Sequence, residues 1–331
     1  MRAYKFRIYP SASQAKVLTN TLFHCFRLYN TALEHRKEAY RIAKKSVTCY
    51  EQSNELPEIK KHFPEYNDVH SQVLQEVLRR VDLAFKAFFR RVKGGSTPGF
   101  PRFRSLKRYD SFCFPQGGFK INGNRLELYK IGSIQIILHR QPVGNIKTCS
   151  IKREDTKWYC ILTSDFAFKG EKKVVTNAVG IDLGLTDFAV LSNGLEIPNP
   201  KYLKRSEGKL KAIQSKYSKG KSKKVRKQLT GLHRKVANQR NDFQHKLSHK
   251  LINSFDLIAY EDLKIKQMIE DNSYNLQKHI HDASWGTFIS MLQYKAEEAG
   301  TTIIAVNPKG TSQRCSCCGQ VVLKSLYERS H

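Results

Sequence analysis

The chain has 331 residues, 40% of them hydrophobic, enough for packed cores in two or three domains. Its 58 Lys and Arg against 29 Asp and Glu leave a net charge of +29, far from that of a neutral cytosolic enzyme, and imply a polyanionic partner whose phosphates release counterions on binding. No stretch reaches the ~18 apolar residues of a spanning helix, and Met1–Arg7 lacks the apolar core of a secretory leader. The expected location is therefore cytoplasmic, associated with the nucleoid, with no membrane partner.

In chain order, residues 4–9 read as a strand stopped by Pro10. Ser11 or Ser13 caps a helix to about Tyr40, with apolar spacing at Val17, Leu18, Leu22, Phe26, Leu28 and Leu33. Polar sequence follows over 51–68. The helical period returns over 69–92, where Val73, Leu74, Val77, Leu78 and Val81 mark the buried face and Phe85, Phe88 and Phe89 are expected in the core. Gly94-Gly-Ser-Thr-Pro-Gly99 ends that helix. From Phe100 to Phe168 the period changes to two, with Asn-Gly at 122–123, which predicts an antiparallel β-domain, barrel-like and joined by the first strand. Cys25, Cys49, Cys113, Cys149 and Cys160 lie singly, as buried reduced thiols would.

Further on, an apolar run over 175–181 closes on Asp182. A Gly-rich turn and a second run over 188–191 lead to the turn pair Asn193-Gly194, which predicts a hairpin. The same device recurs where the run 255–260 closes on Glu261. An acid ending one strand is commonplace, but a carboxylate at the mouth of a buried strand suits a hard cation such as Mg²⁺. Between the two acids, residues 201–250 carry 17 Lys and Arg against Glu207 and Asp242. So few acids forgo the i,i+4 pairs that steady a charged helix, so this basic helical stretch is expected to lie against phosphates. The candidate contacts are Lys216, Lys219, Lys221, Lys223, Lys224, Arg226, Lys227, Arg234 and Arg240, with Arg102 and Arg104 of the loop after Gly99 as a second group. A helix over 285–299 and a strand over 301–306 follow. Cys315-Ser-Cys-Cys318-Gly319 then has the ligand spacing of a zinc knuckle.

Strand-Asp, strand-Glu and Cys-x-x-Cys, in that order, resemble the RuvC/RNase H-like nuclease core of the TnpB family. These are RNA-guided DNA endonucleases encoded by insertion sequences, also called OrfB-type transposases and related to type V CRISPR effectors. Other blocks resemble the family in its order: Lys5-Phe-Arg-Ile-Tyr-Pro10 with Gln14, Phe26-Arg27-Leu-Tyr29-Asn30, Gly99-Phe-Pro-Arg-Phe103, Arg240-Asn-Asp-Phe-Gln-His245-Lys246 and Asp282-Ala-Ser-Trp285-Gly286.

The resemblance implies an α+β multidomain fold. A helical recognition lobe (11–93) would be inserted in an antiparallel β-barrel-like wedge domain (1–10 and 94–172). A RuvC/RNase H-like mixed sheet with helices and half a zinc ribbon would follow (173–331, the incomplete knuckle at 311–331). It implies two-metal hydrolysis of phosphodiesters, with Asp182 bridging two Mg²⁺ and Glu261 binding one. An element-derived guide RNA and a double-stranded DNA target would be the partners, and Zn²⁺ a structural ion at Cys315 and Cys318. The family's second Cys-x-x-Cys and third carboxylate have no counterpart in the 331 residues. The zinc site is therefore expected to be incomplete, and two functions stay open: a DNA endonuclease, or a nuclease-dead RNA-guided repressor or decayed transposase remnant. A basic binding module without a guide fits the blocks least well.

Overall fold

The computed structural model describes residues 1–165, 171–308 and 320. The chain divides into two compact units, one up to Ala167 and one from Phe168.

The first unit opens with strand β1 (Arg2–Tyr9) and helix α1 (Ala12–Ala43). Helix α1 starts where it does because Ser11 and Gln14 form a capping box, each side chain accepting from the other's backbone N–H. Its stripe of Leu18, Leu22, Cys25, Tyr29 and Leu33 is buried at helical spacing. Two short helices, α2 (Cys49–Asn54) and α3 (Leu56–His62), occupy the polar stretch that shows no apolar period. A second capping box, Thr48 with Glu51, starts α2. Helix α4 (Ser71–Lys93) buries Val73, Leu74, Val77, Leu78 and Val81.

Six strands complete the unit: β2 (Ser111–Phe114), β3 (Phe119–Asn122), β4 (Arg125–Leu128), β5 (Gly132–Ile137), β6 (Ile146–Glu154) and β7 (Lys157–Ser164). They form one antiparallel sheet in the order β2-β6-β7-β1-β5-β4-β3. The two edges are consecutive strands. Laid flat, seven strands at ~4.8 Å would separate those edges by about 29 Å, whereas the connection from Phe114 to Phe119 spans at most about 18 Å. The sheet must curl, and the Phe114 and Phe119 rings come within 6.5 Å of each other. Gly118 in this connection has φ +83°, and a Cβ there would lie 2.9 Å from the His70 ring.

The helices of 11–93 do not have a core of their own. The stripes of α1 and α4 join Tyr4, Phe6 and Ile8 of β1 and the inward residues of the other strands in a single cluster. Of the phenylalanines ending α4, Phe85 packs half-buried against this cluster as expected, whereas Phe88 is half-buried without joining it and Phe89 is 60% exposed. Phe88 and Phe89 lie beyond Val81, the last buried residue of α4. The five thiols are free as expected, and all but the half-buried Cys49 are buried; Cys149 and Cys160 lie on neighbouring strands with their sulfurs 3.5 Å apart.

The second unit holds strands β8 (Ala178–Leu183), β9 (Asp187–Leu191) and β10 (Glu196–Pro198), then helices α5 (Tyr202–Gly220) and α6 (Lys223–Ser254). Strand β11 (Leu257–Glu261), helices α7 (Ile265–Glu270), α8 (Tyr274–Ala283) and α9 (Trp285–Ala299), and strand β12 (Thr302–Val306) follow. The sheet order is β10-β9-β8-β11-β12; β8, β11 and β12 run parallel and β9 is antiparallel to β8 and β10. Asn193-Gly194 turns the chain between β9 and β10, with Gly194 at φ +84°. One sheet face packs Val179, Ile181, Leu183 and Ile258 against Leu247 and Leu251 of α6 and Trp285, Phe288 and Leu292 of α9. The expected mixed sheet with helices is therefore present. The half zinc ribbon at 311–331, with Cys315 and Cys318, lies outside the described residues.

Candidate active site and nucleic-acid interface

Strand pleating places the two acids. In β8, Val179, Ile181 and Leu183 point into the core, so Asp182 points to the other face; in β11, Ile258 and Tyr260 are buried, which turns Glu261 the same way. Ile258, Ala259 and Tyr260 pair with Val179, Gly180 and Ile181. One step further, Glu261 stands beside Asp182 on neighbouring strands about 4.8 Å apart. Asp182 is flanked on its other side by Val190 of β9, and Glu261 by Val306 of β12. The two carboxylates thus sit side by side between two valines. Below them Gly180 and Ala259 add almost no bulk, and a shallow depression of about 330 Å³ opens there.

A clamp at the opposite strand ends fixes this register. Asp256, just before β11, accepts from the Thr176 hydroxyl at 2.7 Å and from the backbone N–H groups of Thr176 and Asn177, just before β8. The Thr176 hydroxyl, with these N–H groups and nearby Lys173, holds the Asp256 carboxyl below its ordinary value. Asp256 is a positioning residue that the sequence reading missed; an acid near the start of the 255–260 run carries no signal of its own.

The donor set suits a hard cation. Mg²⁺ is commonly held by one or two carboxylates, with waters and a substrate phosphate completing its octahedron. Among the described residues no group of three or more His, Cys, Asp or Glu converges on one point. Asp187 opens β9 beyond the Gly184 turn, and Asp262 follows Glu261 with its N–H bound to the Val306 carbonyl.

The basic stretch forms a helical hairpin of α5 and α6, turned at Lys221 and Ser222 with Lys221 in the left-handed region. Lys216, Lys219, Lys221, Lys223, Lys224, Arg226 and Lys227 cluster around that tip, all exposed. Arg234 is half-buried. Arg240 differs from the others: its guanidinium turns inward to Asp282 at 2.8 Å and to the Ser284 hydroxyl at 3.1 Å. Asp282 also accepts from Leu203 N–H at the start of α5, and Gln244 donates to the carbonyls of Ala283 and Ser284. Two blocks that are separate in sequence, 240–246 and 282–286, are therefore one lock joining α5, α6 and the α8–α9 junction. The first unit shows a parallel case. Asn30 exchanges two hydrogen bonds with the backbone of Arg104, at 2.8 and 2.9 Å, tying the 26–30 block to the residue that follows the 99–103 block. Arg102 and Arg104 themselves are exposed.

Known proteins resemble this chain in sequence and in fold. Residues 158–272 match a family described as "Probable transposase" (OrfB of the IS605 group), and residues 285–331 match the Cas12f1-like TNB domain. Residues 1–45 match a helix-turn-helix domain, although here they fold as one strand and one 32-residue helix. A Streptomyces pristinaespiralis protein provisionally named RNA-guided DNA endonuclease is 31% identical, over 97% of this chain and 81% of the relative. InsQ of Escherichia coli K12, under the same provisional name, is 26% identical over the whole chain and 86% of its own length. In fold, the chain is similar to Cas12f1 from a complex with guide RNA and target DNA, with a TM-score of 0.57 at 14% identity, over 93% of this chain and 76% of the other.

Proposed function

The chain belongs to the TnpB family of OrfB-type transposases, and from that premise we propose that it is an RNA-guided DNA endonuclease of a transposable element. The observation that carries this reading is the placement of Asp182 and Glu261 on the open face of the second sheet, each one step past the paired Ile181 and Tyr260 and both lining one depression. The order β10-β9-β8-β11-β12, with β9 the one reversed strand, is that of an RNase H-like sheet and supports it. Bound Mg²⁺ would supply an activated water and offset charge on the leaving oxygen of a phosphodiester. Asp182 and Glu261 would hold that cation, while the small Gly180 and Ala259 leave the strand ends open to a DNA backbone. The α5–α6 tip would hold phosphates of the guide RNA, and pairing between guide and target would supply sequence selectivity. Cys315 and Cys318 remain proposed zinc ligands.

A second reading, a guide-directed DNA binder without cleavage, draws on the absence of a third acid beside the pair among the described residues. Plasmid cleavage with Mg²⁺ and a matched guide separates the two. We expect cleavage that Asp182→Ala or Glu261→Gln lowers by more than about a hundredfold, the upper range for loss of an outer-shell partner alone, with guide binding retained. Guide and target binding without cleavage by the unaltered chain would establish the binder instead.

A further inference from the structure

The stretch 83–109 is unusual in a way the proposed function does not use: it carries eight Lys and Arg, five Phe and no Asp or Glu. Of those eight cations only Lys86 is in an ion pair among the described residues, with Asp82 at 2.9 Å. Elsewhere in the same unit, cations such as Lys5, Arg27 and Arg36 face acids across the fold.

Three of the five rings of this stretch are on the surface. Phe89, Phe100 and Phe103 are 60%, 46% and 51% exposed. Phe88 meets Phe89 and Phe100 edge to face at 5.1 and 5.2 Å, and these rings wall a groove of about 760 Å³. The loop 99–104 borders both this groove and a trough of about 580 Å³ lined by Arg91, Arg102, Arg104 and Arg108. Phe103 lies in the arginine trough itself, and the other exposed rings lie in the groove beside it. Cations without ion pairs set beside exposed rings are what an unpaired polynucleotide needs. Its phosphates take the charges and its bases stack on the rings.

We propose that the end of α4 and the loop after it bind an unpaired DNA strand, phosphates in the arginine trough and bases against the phenylalanines. Phenylalanine has no donor or acceptor, so such a wall takes every base alike. That suits a strand displaced by guide pairing, whose sequence changes with each target, better than a guide scaffold of constant sequence. The assignment of the strand's origin rests on the proposed function; the binding itself does not.

The test uses the full chain and fluorescence anisotropy with oligo-dT, oligo-rU and a DNA duplex, with guide RNA binding measured in parallel. Oligo-dT carrying 2-aminopurine should be quenched on binding. The double variant Phe89→Ala/Phe103→Ala should weaken oligo-dT binding by about five- to a hundredfold, the loss expected for one stacked base, and leave guide RNA binding unchanged. Phe89→Leu/Phe103→Leu keeps apolar bulk and should lose as much. Unchanged oligo-dT affinity in the alanine variant, no 2-aminopurine quenching, or full binding by the leucine variant would overturn the site, the last pointing to an apolar dock for protein. Tighter binding of oligo-rU or of duplex than of oligo-dT would overturn the assignment to unpaired DNA. Loss of guide RNA binding in the unaltered chain with Phe-dependent oligo-dT binding retained would sink the proposed function and leave this site standing.

Discussion

Arg240 and Asp282 lie 42 positions apart, and their pairing decides what each residue is for. In a basic run, Arg240 reads as one more phosphate contact; in the fold its charge is answered by a carboxylate that is 9% exposed. Removing one partner strands the other in a poorly hydrated place. A fully buried pair broken this way costs about 3–5 kcal/mol, and Arg240, still 23% exposed, should cost about 2 kcal/mol. Chemical denaturation of Arg240→Ala, Asp282→Asn and the double variant measures this. The double variant should be less destabilised than the sum of the singles, and strict additivity would refute the lock. The catalytic candidates were legible because an apolar run closing on an acid is a local pattern. The lock was not, because nothing local distinguishes an inward arginine from its neighbours; only the fold brings 240 and 282 together.

Among the elements, the strands β8 and β11 matter most, since a slip of one residue between them would turn one acid away from the other. Asp256 opposes that slip through its bonds to Thr176 and Asn177. Its carboxyl titrates below the ordinary 3.8 in the folded chain. A depressed value means that the stabilisation is complete above the unfolded value and is lost as pH falls through the folded one. Melting followed from neutral pH downward should therefore show Asp256→Asn less stable at neutrality, with the gap closing below about pH 4. Parallel curves down to acid pH would show that the clamp is not there. The long helices and the period-two domain were readable from spacing alone. Helices α2 and α3 were hidden because each is at most two turns long, too short for a period to emerge from polar sequence. Strand order was hidden as well, since β1 pairs with β7 and β5 rather than with a neighbour in sequence.

For the molecule as a whole, the charge of +29 resolves into distinct surfaces. The α5–α6 tip is one, and the 83–109 stretch of the other unit is another. A surface that neutralises phosphates shows itself in salt dependence, each contact adding roughly 0.7–0.9 to the slope of log K against log salt. Replacing Lys221, Lys223, Lys224 and Lys227 by Gln should therefore lower the slope for structured RNA by about three. Filter binding over a salt series tests this, and an unchanged slope would mean that the tip is only solvated.

The central place of β1 also sets when the first unit can fold. Tyr4 faces Leu162 and Arg7 faces Tyr159, so the middle strand of the sheet can meet β5 on one side but gains its second partner only after the last strand of the unit has been made. At 5–20 residues per second a ribosome needs roughly ten to thirty seconds to reach it. Helices α1 to α4 can form early and β3, β4 and β5 can pair locally, but β1 keeps an open edge until β7 is made. Pairing this distant in sequence is slow and exposed to aggregation, so the open edge of β1 is a point of vulnerability while the first unit is being made.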